Sequence, residues 1–356
     1  MIPVTKSFFP PIEDYQVQVQ RIWNNQWLTN NGKLYKELTQ KLQDHLGVNQ
    51  IIPMTNGTLP MQIALNAYGK GGEVITTPFS YVATTACIVW EKCTPVFVDI
   101  HPEYLTIDET KIEAAITERT TAILATHVFG NPCHVQTIEA IAKKHQLKVI
   151  YDAAHCFGVN YKGQSVFNYG DVSTCSFHAT KIFHTGEGGA LFCQDEETKQ
   201  EMWYRHNFGH DGPEHYHGLG INAKMSELQA AMGLSVLPYM DHITTERKRV
   251  CDYYDLHLNF SKLSKLKIRD HTVWNYAYYP VIFKSEVQLL ETMQNLAFHS
   301  IHPRRYFYPS LEDLPYINSK QCPKAGDIVT RILCLPLFTT LELEELVLVC
   351  ELLNRV

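Results

Sequence analysis

Short apolar strands alternate with helical patterns over the first two-thirds of this chain, and that alternation limits the fold more than any other feature. Gln50–Met54 reads as a strand and Leu59–Tyr68 as a helix. Glu73–Thr77, Val82–Lys92 and Pro95–Asp99 follow as strand, helix and strand. Thr121–Thr126, Val135–His145 and Lys148–Asp152 repeat the order, and Ser173–Phe177 and Ala190–Cys193 add two further strands. A helix between two strands returns the chain to the same end of a sheet, so such strands pair in parallel. The expected fold is α/β, with a mostly parallel central sheet and helices on both faces. Ligands of such sheets bind outside the carboxyl ends of the strands.

The pattern changes near residue 240. Met225–Pro238 reads as a helix with an apolar stripe, and Asp241–Leu258 as a long charged helix. After Val273 come a strand (Tyr278–Phe283), a helix (Glu286–Leu296), another strand and a final helix (Leu341–Leu353). The expected division is a large α/β domain over residues 1–240, then a linker helix with a smaller α+β domain over residues 241–356.

Bulk chemistry excludes several classes of function. The 356 residues are 45% hydrophobic and 19% charged, with a net charge of −6. No basic excess is available to grip nucleic acid or an anionic membrane. No apolar run approaches the ~18 residues of a membrane span, and no secretory leader is recognisable in Met1–Lys6 and the residues after it. A cytoplasmic protein is expected. The ten cysteines include no C-x-x-C and read as small apolar residues. His206, His210, His215 and His217 crowd one stretch, but Gly209, Gly212 and Pro213 make it a loop without metal-ligand spacing, so no metal is expected.

Two residues carry a specific chemistry. Asp152 ends an apolar strand, where an unpaired carboxylate is costly to bury and calls for a cationic partner; an N-cap is the alternative. Lys181 follows a second strand, in Ser176-Phe177-His178-Ala179-Thr180-Lys181, ahead of Gly186-Glu187-Gly188-Gly189. Apolar neighbours lower a lysine pKa and free its amine to act as nucleophile and base. Such a pair suits pyridoxal phosphate (PLP): the amine forms a Schiff base with the aldehyde, and the carboxylate pairs with the protonated ring nitrogen. Asn56-Gly57-Thr58 opens a helix after a strand, and the free N–H groups there suit a phosphate, to which Ser176 could add a hydroxyl. Tyr81, just past another strand end, offers an aromatic face for a flat ring; a core tyrosine is the plainer reading.

Together these motifs resemble the sugar aminotransferases of the DegT/DnrJ/EryC1/StrS family, PLP enzymes of fold type I. The resemblance runs from Gln26-Trp27-Leu28-Thr29-Asn30-Asn31-Gly32 to Cys334-Leu335-Pro336-Leu337. Its most specific parts are Asp152-Ala153-Ala154-His155, Ser176 to Gly189, and Gly220 to Ala231. It implies that Lys181 carries the cofactor and moves the proton, and that Asp152 holds the pyridinium. Tyr81 would stack on the ring, with His155 near its phenolic oxygen. Gly57, Thr58 and Ser176 would hold the phosphate, with Asn222 reaching it from a neighbouring subunit, so that the active unit is at least a homodimer. Ser176–Lys181 and His302–Pro309 resemble the branch that aminates carbon 4 of dTDP-4-keto-6-deoxyglucose with glutamate as donor. Arg304, Arg305 and Tyr306 would then meet the nucleotide sugar. The alternatives are a ketosugar aminated at carbon 3 or linked to UDP or GDP, and a sugar-nucleotide-binding regulator without turnover. A dinucleotide-binding dehydrogenase is disfavoured, since no G-x-G-x-x-G follows the first strand.

Overall fold

The structure, a computed structural model, describes residues 1–317, 319 and 321–355; Val356, the last residue of the expected second domain, lies outside them. The central sheet has seven strands, in the order Gln50–Met54, Gly189–Cys193, Val172–Ser176, Lys148–Asp152, Thr120–Thr126, Glu73–Thr76 and Thr94–Phe97. Gly189–Cys193 runs antiparallel to both neighbours. The other pairings are parallel, as the alternation predicts. Two of these strands contain a proline, Pro53 and Pro95, and they are the two edge strands. Proline has no N–H to give a neighbour, so a strand that contains it is tolerated where one side needs no partner.

Side chains of the inner strands point alternately to two buried faces. Ile52, Ile150 and Leu191 pack with Met61, Leu65 and Met202 of the helices Thr58–Tyr68 and Glu196–His206. Val149 and Tyr151 turn the other way, toward Val135, Ile138 and Ala142 of Val135–His145. Phe177 and Phe192 meet Leu34, Leu38 and Leu42 of Lys33–Leu46 and Leu234 of Glu227–Val236.

Among the described residues five α-helices lie outside the pattern read from the sequence: Ile12–Asn25, Lys33–Leu46, the short Glu109–Ile112, Glu196–His206 and Pro323–Arg331. The second has a clear apolar stripe, with Leu34, Leu38, Leu42 and Leu46 buried at four-residue spacing. Its first turn is capped from far away in sequence. Glu227 is buried, and its two carboxylate oxygens accept the N–H groups of Leu34 and Tyr35, each at 2.9 Å. A β-carbon at position 32 would collide with that carboxylate, so glycine precedes the helix.

The C-terminal part has its own core. Tyr254, Val281, Phe283, Leu289, Leu346 and Leu353 cluster between Met240–His257, Glu286–Phe298, Leu343–Asn354 and a small antiparallel sheet. Ile2 joins this core, through a parallel pairing of Ile2–Pro3 with Ile301–His302. Met240–His257 serves both cores, with Ile243 in the first and Val250 in the second. The two parts are bonded at the active end of the sheet. Asp99 accepts the N–H groups of Lys324 and Ala325, at 3.0 and 2.9 Å, in the first turn of Pro323–Arg331.

Replacing Glu227 by alanine leaves two buried N–H groups without an acceptor. Hydrogen bonds to a charged group contribute about 1.5–3 kcal/mol each, so Glu227→Ala is expected to lower the unfolding free energy by about 3 kcal/mol or more, read by denaturant titration. A loss below about 0.5 kcal/mol would contradict the assignment of this cap.

Candidate active site

The carboxyl ends of the strands open into a cavity of about 300 Å³. Every expected site residue except Arg305 and Asn222 lines it: Gly57, Thr58, Tyr81, Asp152, His155, Ser176, Lys181, Arg304 and Tyr306. Residues more than 120 positions apart therefore share one space, because several strands end at it.

Asp152 is the last residue of its strand and 3% exposed. Its Oδ2 accepts the hydroxyl of Thr84 at 2.6 Å, and Oδ1 accepts the N–H of Ala154 at 3.1 Å. Thr84 Oγ1 lies 2.7 Å from Ser80 Oγ, which lies 3.0 Å from Thr126 Oγ1. A hydroxyl has one proton. With Thr84 donating to the carboxylate, Ser80 must donate to Thr84 and Thr126 to Ser80. The three hydroxyls form a directed chain that ends on Asp152, and each link polarises the next. Burial still raises the carboxyl pKa; the Thr84 and Ala154 hydrogen bonds and the nearby Lys181 charge oppose it. The N-cap alternative fails, because no helix follows Asp152: the chain turns there, and the bond from the N–H of Ala154 closes that turn on one oxygen.

Burial lowers the pKa of Lys181, as its apolar surroundings predict. His155 is buried, and its Nδ1 accepts the N–H of Phe129 at 3.0 Å. In a neutral ring the proton then sits on Nε2. Burial first, and the Lys181 charge second, push the His155 pKa well below 6.5, so the ring stays neutral. Tyr81 is not a core tyrosine: it is 52% exposed, at the N-terminal end of Val82–Trp90, with its ring 6.4 Å from that of Phe307.

The Gly57–Ser176 corner is built by close backbone approach. A β-carbon on Gly57 would strike Ser176, and one on Gly189 would strike Asn56 and Gly57. Asn56 Oδ1 accepts the N–H groups of Thr58 and Leu59, each at 2.9 Å, and so caps Thr58–Tyr68. The arginine pair divides. Arg304 lines the cavity, its guanidinium 4.7 Å from the Tyr306 ring centroid. Arg305 turns away, donating to Glu286 at 2.6 Å and to the carbonyl of Thr330 at 2.9 Å, and lies over Tyr308. Asn222 is exposed, forms an isolated antiparallel bridge with Asn207, and does not line the cavity of its own chain. His184 has a structural use: its Nε2 lies 2.6 Å from the carbonyl of Phe8 and its Nδ1 accepts from Gly186, tying the loop after Lys181 to the N-terminal segment. In the histidine-rich loop, His206 is buried against Trp203 and His217 stacks on Tyr204. Thr84, Thr126 and Tyr278 lie outside the residues singled out from the sequence, and Phe307 falls in the His302–Pro309 motif without a role of its own. Thr84 has a local trace only as one of two adjacent threonines, with Thr85, on an otherwise apolar helix.

The donor set fits pyridoxal phosphate. An amine and a carboxyl face one cavity, with a neutral imidazole beside the amine and a helix N-terminus at its edge. The raised native pKa of Asp152 also has a consequence for stability. The folded chain holds this proton to higher pH than the unfolded chain, so the contribution of the carboxyl to stability is lost as pH rises through the native value. Asp152→Asn cannot ionise. In cofactor-free protein it is expected to reduce the fall in melting temperature as pH rises from about 4, the ordinary aspartate value, toward neutrality; equal pH dependence in both proteins would refute this.

A model of the DegT/DnrJ/EryC1/StrS aminotransferase family matches residues 12–354. The dTDP-4-amino-4,6-dideoxy-D-glucose transaminase of Shigella dysenteriae is 40% identical over 95% of this chain and 94% of its own length. The Escherichia coli enzyme of the same name is 37% identical over 99% and 98%. The crystal structure of DesI in the presence of its TDP-sugar product superposes with a TM-score of 0.93, at 30% identity, covering 99% of this chain and 92% of that one.

Proposed function

Because this chain belongs to the DegT/DnrJ/EryC1/StrS aminotransferase family, we propose that it moves an amino group from L-glutamate to carbon 4 of a nucleotide-linked 4-keto-6-deoxy sugar. The substrate is dTDP-4-keto-6-deoxy-D-glucose and the product dTDP-4-amino-4,6-dideoxy-D-glucose. The observation that carries this reading is the placing of Lys181 and Asp152 on one cavity at the strand ends. The names of the two most similar relatives reported above support the choice of sugar.

Pyridoxal phosphate, when bound, supplies an electrophilic aldehyde and a ring that takes up the electron pair released at the reacting carbon. Their positions around the cavity support the following roles for the protein side chains. Asp152, fixed by Thr84 and Ala154, presents its negative charge to a protonated ring nitrogen. Lys181, with its pKa lowered, gives up and takes back a proton at neutral pH, as both half-reactions require. His155 donates from Nε2 to an oxygen on the ring. Gly57, Thr58 and Ser176 hold the phosphate, and Tyr81 covers one ring face. Arg304 and Tyr306 meet the nucleotide sugar, where the guanidinium neutralises pyrophosphate charge.

The site is completed by a second copy of the chain. Asn222 belongs to an exposed apolar stretch that includes Phe208, Leu219 and Ile221, with the N–H of Phe208 on the carbonyl of Ile221. Contiguous apolar surface of this kind supports a subunit interface, and Asn222 then reaches the partner's phosphate site.

Incubation with L-glutamate and dTDP-4-keto-6-deoxy-D-glucose, followed by product identification, tests the reaction. The 4-amino sugar is the expected product; faster conversion of a 3-keto sugar or of a UDP- or GDP-linked 4-keto sugar would overturn the substrate. Lys181→Ala is expected to lower turnover by about a thousandfold or more, and full activity in that variant would remove its role. Mixing Lys181→Ala subunits with inactive Asn222→Ala subunits should restore turnover, since a hybrid dimer holds one complete site. No recovery after subunit exchange would place Asn222 outside the shared site.

A further inference from the structure

Lys181 Nζ lies 3.3 Å from the hydroxyl of Tyr278, and 5.8 Å from the centroid of its ring. No sequence motif marks this tyrosine. Its position is nevertheless closely fixed. The ring lies 4.6 Å from His155, 5.6 Å from Phe129 and 5.4 Å from Tyr306, all tilted or edge-on. The backbone just before it is clamped by Arg247, which is buried and donates to the carbonyls of Tyr276 at 2.9 Å, Ala277 at 2.6 Å and Leu337 at 3.1 Å. Among the described residues no carboxylate pairs with this guanidinium. Its charge is instead matched by three carbonyl oxygens, two of them on the segment that delivers Tyr278. A buried cation held this way leaves the segment little freedom, because moving any carbonyl away strands a buried donor.

Transamination requires the lysine to be released from the cofactor and later to take it back. A free lysine has four rotatable bonds and no fixed place unless a partner provides one. We propose that Tyr278 is a positioning residue for Lys181: its hydroxyl accepts an N–H of the released amine and keeps the side chain in the cavity between its two rounds of proton transfer. This rests on the reading of Lys181 as the proton-transfer lysine. Burial raises the Tyr278 pKa, so the phenol remains neutral and its oxygen is free to accept. The other titratable groups facing the amine are Asp152, Tyr306, Cys175, Tyr81 and His155. Among the described residues the Tyr306 hydroxyl makes no hydrogen bond to the amine, which makes Tyr306 the natural comparison.

Tyr278→Phe keeps the ring and its contacts and removes only the acceptor. The test follows acetylation of Lys181 by acetic anhydride in cofactor-free protein against pH, with the Lys181 peptide quantified by mass spectrometry. Loss of the acceptor disfavours the ammonium form. The labelling curve of Tyr278→Phe should therefore move to lower pH, with Lys181 reacting about threefold faster or more at a pH below the wild-type midpoint. In the loaded enzyme the same variant should lose about tenfold or more in kcat, with both KM values within about twofold. An unmoved or oppositely shifted labelling curve would overturn the proposal. So would an equal shift in Tyr306→Phe, or a loss carried by KM alone. Wild-type protein that takes up no pyridoxal phosphate would defeat the reading of the site itself. The labelling curves, recorded without cofactor, would still decide the Lys181–Tyr278 bond.

Discussion

The burial of the Asp152 carboxyl is the constraint around which this structure is arranged. A lone carboxylate out of water costs several kcal/mol, and a protein avoids that cost by protonating it or by surrounding it with donors and positive charge. Here two donors reach it, and one of them, Thr84, is the end of a hydroxyl chain that runs back through Ser80 to Thr126. The hydroxyls of that chain come from the segment after Glu73–Thr76 and from the end of Thr120–Thr126. The register of three neighbouring parallel strands is therefore built into the electrostatics of one side chain. What remains unbalanced is an acid at the floor of a cavity, close to a lysine whose own charge is disfavoured by burial. A cationic heterocycle held in that cavity would relieve the acid.

Around that acid, close packing of backbone does work that side chains cannot. Gly57 and Gly189 have no β-carbon because Ser176 and Asn56 occupy the space. The single antiparallel strand, Gly189–Cys193, lets the chain return beside Gln50–Met54 and bring the loop after Lys181 back over the strand ends. His184 and Gln229 then fasten that loop, the first to Phe8 and the second to Glu187 and Thr55. The loop after Lys181 is thus held by the N-terminal segment and by the first turn of Glu227–Val236.

The fold was legible because its signals are local. Val- and Ile-rich strands separated by apolar helices give the parallel sheet, and Asp152 and Lys181 fall at strand ends by counting residues alone. The helix Lys33–Leu46 lies outside the strand–helix pattern read from the sequence although its leucines recur every four residues, and its cap, Glu227, lies 193 positions from Leu34 and has no local trace. The same limit applies to the site. Arg304 and Arg305 are adjacent and chemically equal in sequence, yet one lines the cavity and the other is drawn off by Glu286. Tyr278 was one of 19 tyrosines, and only the approach of Lys181, 97 positions distant, distinguishes it.

The two prolines of the central sheet have a consequence for how copies of this protein can meet. Pro53 and Pro95 sit on its outermost strands, and each interrupts the row of N–H groups that another chain would need to extend the ladder. Lateral growth into a continuous intermolecular sheet is blocked on both flanks. Assembly must use helix and loop surfaces instead, which closes off one common route to insoluble aggregates.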